Sequence, residues 1–482
     1  MKRFPALLAL CLAATPAVPR SAVAQDLALA HVTIVDVESG ALRPDQTVLI
    51  RGGRITWTGS AGEARIPAGA RVVDATGRYA IPGLWDMHVH TSREGRAAHF
   101  WPQFLAYGVT GVREMGSYLD SLQYWRGQAR RPGSGAPRIV YSSPMLDGNP
   151  PSWRHGYGVA DSAAAVAAVD TMVALGFDFL KVYNRLSRDA YFAIARRARE
   201  RGIPFAGHVP DAITLVEASD AGQRSIEHLH DEMFIACLPG GQPLFDAFLA
   251  ARTSGASEDS ARAIFRRLTE IALNGPDAGV CRPLFERFVA NGTWLTPTLA
   301  VHRGQHPPDA LVADPRLRFV PPALAQRWKE GLDAGEDAEV ERRINQQMAR
   351  MVGMAQAAGV GILAGTDASD EPYVFAGSGL HDELALLVDA GLTPLQALRA
   401  GTVNPARYLG AADSMGTVAA GRVADLVLLD ADPLRDIRNT TRIFAVVHAG
   451  RLIDAVERER LLRLAEQEAA RAVNAPPARQ DD

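Results

Sequence analysis

Cysteine is nearly missing from this sequence: three in 482 residues, too few for a disulfide-built scaffold. A surplus of either charge is missing too. Lys+Arg number 51 against Asp+Glu 54, a formal net charge of −3, which excludes the basic face of a nucleic-acid binder and an acidic solvating tail. No Walker loop, G-x-S-x-G elbow or C-x-x-C pair occurs, which argues against nucleotide enzymes and serine hydrolases. Gly359, Gly361 and Ala364 match a G-x-G-x-x-A pattern, but they lie inside an apolar run and do not open a helix, so the dinucleotide reading fails. Lysine is the scarcest charged residue. Only Lys2, Lys181 and Lys329 occur, so 48 of the 51 basic residues are arginine. The remaining composition, 47% hydrophobic and 22% charged with 43 Gly and 30 Pro, is that of a globular chain and excludes collagen-like, coiled-coil and wholly disordered classes.

The N-terminus reads as an address. Lys2 and Arg3 precede an apolar run over 4–18, and Ala22-Val23-Ala24 forms a small-x-small pattern before Gln25. This is the layout of a secretory signal peptide over 1–24. A membrane anchor is the weaker alternative, because the run is shorter than the ~20 residues a span needs and contains Pro5 and Pro16. The mature protein is therefore expected to be exported, periplasmic or extracellular, with no membrane segment. Cys237 and Cys281 then sit in a disulfide-permissive compartment, either bridged or as two unconnected buried thiols.

Short strand-like runs over 27–73, separated by Gly40, Gly52-Gly53 and Gly59, form a small β-unit, and matching runs return over 424–453. Neither half suffices alone, so a β-sandwich domain built from both chain ends, 25–80 plus 411–456, is expected. Between them eight apolar runs (81–90, 108–115, 138–146, 177–183, 203–209, 224–230, 293–301 and 360–367) alternate with helical segments such as 162–176 and 187–202. The fold class is α/β. Eight such units over 81–410 fit a (β/α)8 TIM-type barrel, with a doubly wound sheet as the alternative. The barrel is favoured because polar residues fall at the ends of many different runs. Residues 231–292 and 302–359 are long helical insertions of the kind that cover a site. A C-terminal helix and flexible tail occupy 457–482.

His88 and His90 end the first run two residues apart, so the pleat points both imidazoles to one side. His208 ends the fifth run, His228 the sixth and Asp367 the eighth. Four histidines and a carboxylate at four strand ends are poor core filler and good metal ligands. Lys181 lies in FDFLKVY, a run buried on both faces, where an unpaired ammonium is costly. A desolvated, neutral lysine amine reacts with carbon dioxide to a carbamate, a bidentate anion suited to bridging two cations. Tyr183, two residues on, faces the same way and is a candidate substrate contact; a packed strand tyrosine is the equal alternative.

HVH after a GL-W-D lead, a lysine in the fourth strand, GHVP, IEH and GTD together resemble the amidohydrolase superfamily, and within it the imidazolonepropionase-like and prolidase-like metal-dependent hydrolases. GLTPLQALRAGTVNPARYLG followed by MGTVAAGRVADLVLLDADPL is similar to the same family's C-terminal passage, so the resemblance covers roughly 27–455. It implies that His88, His90 and Asp367 hold one metal, that His208 and His228 hold a second, and that carboxylated Lys181 bridges them. Zinc is the expected ion for so imidazole-rich a site, although ligand type alone leaves manganese, cobalt and iron open. His230 is a rival to His228, which the IEH match favours; Asp86 shares the face of His88 and His90. The resemblance further implies hydrolysis of an amide or peptide bond in a dipeptide or N-acyl amino acid, with Asp367 carrying the catalytic proton. A small-molecule substrate is the partner, nucleic acid is not, and homo-oligomers are allowed. Alternatives are hydrolysis of a lactone or phosphoester, a mononuclear deaminase, and a non-catalytic metal-binding protein. Arg113 or Arg303 is nominated to receive a substrate carboxylate.

Overall fold

The computed structural model describes residues 26–471, apart from 93–96, 230, 254–257, 306, 332–335 and 369–370. The expected signal segment and tail, and the rival ligand His230, lie outside the described residues.

Alternating apolar residues draw the first part of the chain into β1 (Leu27–Val35), β2 (Leu42–Arg51), β3 (Arg54–Ser60), β4 (Arg71–Asp74) and β5 (Tyr79–Pro82). The barrel strands follow: β6 (Leu84–Val89), β7 (Val109–Glu114), β8 (Arg138–Asp147) with the short β9 (Tyr157–Gly158) beside it, β10 (Phe179–Val182), β11 (Phe205–Gly207), β12 (Ser225–Glu227) and β13 (Trp294–Thr296). The chain then returns through β14 (Leu426–Leu429), β15 (Ile443–His448) and β16 (Arg451–Ile453). The two chain ends meet in one mixed sheet of order β16-β15-β14-β5-β1-β2-β3, with β4 also paired to β1. Antiparallel pairing of Ile81 with Val427 makes the junction between the halves.

The second sheet runs β6-β7-β8-β10-β11-β12-β13, parallel throughout. The eighth run closes it without a continuous ladder. Its segment is held by single parallel bridges, Leu295 to Ile362 on one side and Val89 to Ala368 on the other. A Cβ on Gly365 would lie 2.6 Å from Thr296 Cγ2 and 2.9 Å from the His88 nitrogen, so only glycine lets this segment pass between its neighbours. Helices pack outside the barrel and start where the sequence caps them. Asp161 accepts the Ala164 N–H at 2.8 Å ahead of helix Ser162–Ala174, and Ser187 opens helix Arg188–Arg201, which Gly202 ends at φ 66°.

Helices Asp231–Ala236, Gly241–Thr253, Glu258–Asn274 and Ala278–Asn291 occupy the first long connection, and chiefly Leu299–Gln305, Pro322–Glu330 and Glu336–Ala357 the second. Cys237 and Cys281 are disulfide-bonded with Cα atoms 4.5 Å apart and a sequence separation of 44. Closing a loop of that size contributes about 2–4 kcal/mol and ties the start of the first insertion to its last helix.

His381 is wholly buried beneath the β-sheet domain, bonding Thr440 Oγ1 at 3.0 Å and the Tyr107 carbonyl at 2.9 Å. Burial lowers its pKa to about 4. The unfolded chain takes up this proton below pH ~6.5 and the folded one only near pH 4, so stability is present above pH ~6.5 and lost as pH falls through that window. His381→Gln is expected to flatten the fall in stability between pH 6.5 and 4 by up to one proton, ~1.4 kcal/mol per pH unit, in denaturant titrations at several pH values. An unchanged slope would sink this.

Candidate active site

His88 and Lys181 are the next-to-last residues of β6 and β10; His90, His208 and His228 follow just after β6, β11 and β12, and Asp367 lies in the eighth run. The pleat of β6 turns His88 and His90 to one side, and both reach the eighth run. His88 Nε2 is 3.4 Å and His90 Nε2 3.3 Å from Asp367 Oδ1. His228 Nε2 comes within 3.8 Å of Asp367 Oδ2. Donor atoms of His88, His228 and Asp367 all lie within 4.8 Å of one another. His208 joins through His228, with ring centroids 4.8 Å apart. Lys181 is fully buried and in register with Met145 on β8 and Ala206 on β11. A Cβ on Gly207 would meet the Val182 carbonyl oxygen at 2.2 Å and Lys181 Cδ at 3.1 Å, so this glycine leaves room for the lysine stem.

The Nδ1 atoms decide what the rings present. His88 Nδ1 bonds Glu227 Oε2 at 2.8 Å, His90 Nδ1 the Gly116 carbonyl at 2.7 Å and His208 Nδ1 the Asn184 Oδ1 at 2.8 Å. These three partners only accept, so each of these rings donates its Nδ1–H, and in His88 and His90 this leaves Nε2 facing Asp367. His228 Nδ1 pairs with Thr298 Oγ1 at 2.7 Å. Lone pairs converging on a carboxylate repel unless a cation stands among them. The donor set therefore fits a divalent metal.

Glu227 is itself held. Arg113, completely buried, donates to both its oxygens at 2.9 and 2.8 Å and also bonds the Met87 carbonyl, Ser225 and Tyr408. Arg113 is thus consumed inside the barrel and does not receive a substrate carboxylate. Arg303, the other nominee, is paired to Asp382 at 2.8 Å. Asp86 is also buried; it accepts from Thr366 N–H and hydroxyl at 2.9 and 2.6 Å and so ties β6 to the segment that carries Asp367. Burial raises the Asp86 pKa to about 7 against its three hydrogen bonds. His228, Thr298 and Asp367 have φ of 67°, 47° and 63°, a left-handed backbone that costs a non-glycine residue about 1–3 kcal/mol. Such strain gathers where side chains must be aimed.

Above these residues opens a cavity of about 760 Å³ lined in part by His90, His208, His228 and Asp367. Tyr183 lines it as well. Its hydroxyl accepts the Trp153 indole N–H at 2.8 Å, and its ring centroid is 4.2 Å from that of His208. The far wall comes from the second insertion, through Ile344, Asn345 and Met348. Reasoning from sequence missed Glu227, Asn184, Thr298 and Trp153. Glu227 had a signal, standing beside the ligand in IEH; the others are visible only in three dimensions.

Among known proteins, the model of the amidohydrolase family matches residues 79–453. The adenine deaminase 1 of Bradyrhizobium sp. (strain ORS 278) is 23% identical over 418 residues, 84% of this chain and 52% of that protein. The adenine deaminase of Chelativorans sp. (strain BNC1) is 30% identical over 196 residues, 38% of this chain and 32% of that protein. The chain thus spans about half, or less, of the length of the curated relatives it matches. Among solved structures, the bottromycin amidohydrolase superposes with a TM-score of 0.70 at 24% identity, covering 92% of this chain and 90% of that one. A Xaa-Pro dipeptidase with bound methionine gives 0.63 at 18%, covering 89% and 100%. At these identities the structural likeness shows the fold.

Proposed function

The chain belongs to the amidohydrolase family, and on that premise we propose that it hydrolyses a C–N amide or peptide bond of a small molecule, a dipeptide or N-acyl amino acid. The observation that carries the reading is the convergence of the Nδ1-anchored imidazoles of His88 and His90 on the Asp367 carboxylate, beneath an open cavity. His88, His90 and Asp367 would hold one divalent ion, His208 and His228 a second, and Lys181 as a carbamate would bridge them. Zinc is the proposed ion, and such ions lower the pKa of water and polarise a carbonyl oxygen.

The chain's own groups do the remainder. The cavity orients the amide over Asp367, whose carboxylate takes the proton of the attacking water as its oxygen bonds to the carbonyl carbon. The same proton passes to the nitrogen as the C–N bond breaks, so the departing amine leaves neutral. Tyr183, fixed by Trp153 and tilted against the His208 ring, contacts the substrate beside the reacting carbon. We also propose that the mature protein is exported, to the periplasm or beyond; the disulfide within the first insertion supports an oxidising compartment.

The test is metal analysis of purified protein with a screen of dipeptides and N-acyl amino acids. Two metal equivalents and amide hydrolysis are expected, and Lys181→Ala should lose metal and rate together. No amide cleaved by metal-loaded protein overturns the activity; two metals retained at full rate in Lys181→Ala overturns the bridge. A second reading, deamination, is favoured by the names of the curated relatives. Ammonia released from adenine, with no dipeptide cleaved, would select it.

A further inference from the structure

Glu383 stands on helix Ser378–Asp389 with no accessible surface. A carboxyl group so placed is costly unless its oxygens are bonded. Its Oε1 accepts the Leu299 N–H at 3.0 Å and its Oε2 the Ala300 N–H at 2.8 Å. These are the first two N–H groups of helix Leu299–Gln305, and such groups have no partner inside their own helix. The proton path through Asp367 makes no use of Glu383.

Thr298 precedes the same helix. A threonine in this place ordinarily has an extended backbone, and its own hydroxyl accepts the N–H two or three residues on. Here φ is 47°, in the left-handed region, the Ala300 N–H goes to Glu383, and the Val301 N–H goes to the Thr298 carbonyl at 2.9 Å. The buried hydroxyl turns instead to His228, with Oγ1 2.7 Å from Nδ1. The His228 N–H donates to the Thr296 carbonyl at 2.8 Å, so ring and backbone of this histidine both lean on 296–298. A threonine that capped its own helix would leave the imidazole without that support.

Resting on the metal-hydrolase reading, we propose that Glu383 is a positioning residue: by capping helix Leu299–Gln305 from a neighbouring helix it releases the Thr298 hydroxyl to accept the His228 Nδ1–H and hold Nε2 on the side of Asp367.

A glutamine at this position accepts only one of the two N–H groups and sets its own N–H against the other. The Thr298 hydroxyl then turns to the vacant donor and lets go of the ring. Metal affinity by chelator competition, with the visible spectrum of cobalt-loaded protein, tests this on the parent, Glu383→Gln, Thr298→Val and the double variant. Each single change should weaken one metal equivalent about tenfold and alter the cobalt spectrum, as loss of a group that orients a ligand does, whereas Thr298→Ser should match the parent. Because the effect runs through Thr298, Glu383→Gln should add less than about twofold in the Thr298→Val background. Glu383→Asp, one methylene shorter and still an anion, gives the same reading if the glutamine variant does not fold. Unchanged affinity and spectrum in a folded Glu383 variant, or losses that multiply in the double variant, overturn the positioning role while leaving the hydrolase standing. If the parent binds no metal, both fall.

Discussion

Asp367→Asn is expected to lower kcat by about 10²–10⁴-fold with the fold intact, the range that a positioned acid–base group supplies. The amide has the carboxylate's shape, and asparagine is among the residues that tolerate the left-handed backbone found here at φ 63°. What it lacks is the capacity to take a proton and give it back. The loss should therefore fall on kcat more than on KM, and the thermal midpoint should stay within a few degrees of the parent. Because the carboxylate also faces three imidazoles, metal content must be measured on the same preparation. A variant that keeps its metal and loses less than tenfold in kcat would remove Asp367 from the proton path.

Arg113→Met should destabilise the protein by about 3–5 kcal/mol, the cost of stranding one partner of a buried ion pair. Glu227 has no accessible surface, and both its oxygens are bonded to the guanidinium. Removing the cation leaves a carboxylate with no route to water, and also frees the Ser225, Tyr408 and Met87 contacts. Adding Glu227→Gln to Arg113→Met should recover part of the stability, since the stranded charge is gone. The single change Glu227→Gln should act elsewhere: it weakens the acceptor of His88 Nδ1–H and lowers metal affinity about 10–100-fold. Denaturant titration and metal competition separate the two effects. Equal stability in Arg113→Met and its parent would refute the buried-pair account.

Much of this site was legible in residue types and short spacings. The separation of His88 and His90 alone puts both on one face, because successive residues of a strand alternate sides wherever the strand lies. Lys181 stood out because a chain that otherwise uses arginine placed a lysine in an apolar run. The strand-end positions of His208, His228 and Asp367 follow from runs that are themselves local. The eighth run was less legible: its composition is that of a strand, yet it closes the barrel through single bridges, at a point where Gly365 lets it pass beside His88 and Thr296.

By itself, then, the sequence determined the alternating α/β order, the candidate ligand types and the faces they share, since all of these depend on backbone periodicity and side-chain chemistry within a few residues. Tertiary structure alone decided that Glu227 and not solvent accepts from His88, that Arg113 is spent on Glu227, that Cys237 meets Cys281, and that Tyr183 and Met348 line the same cavity. These contacts join residues dozens to hundreds of positions apart. No local preference specifies such pairs; the packing of helices and strands around one closed sheet does.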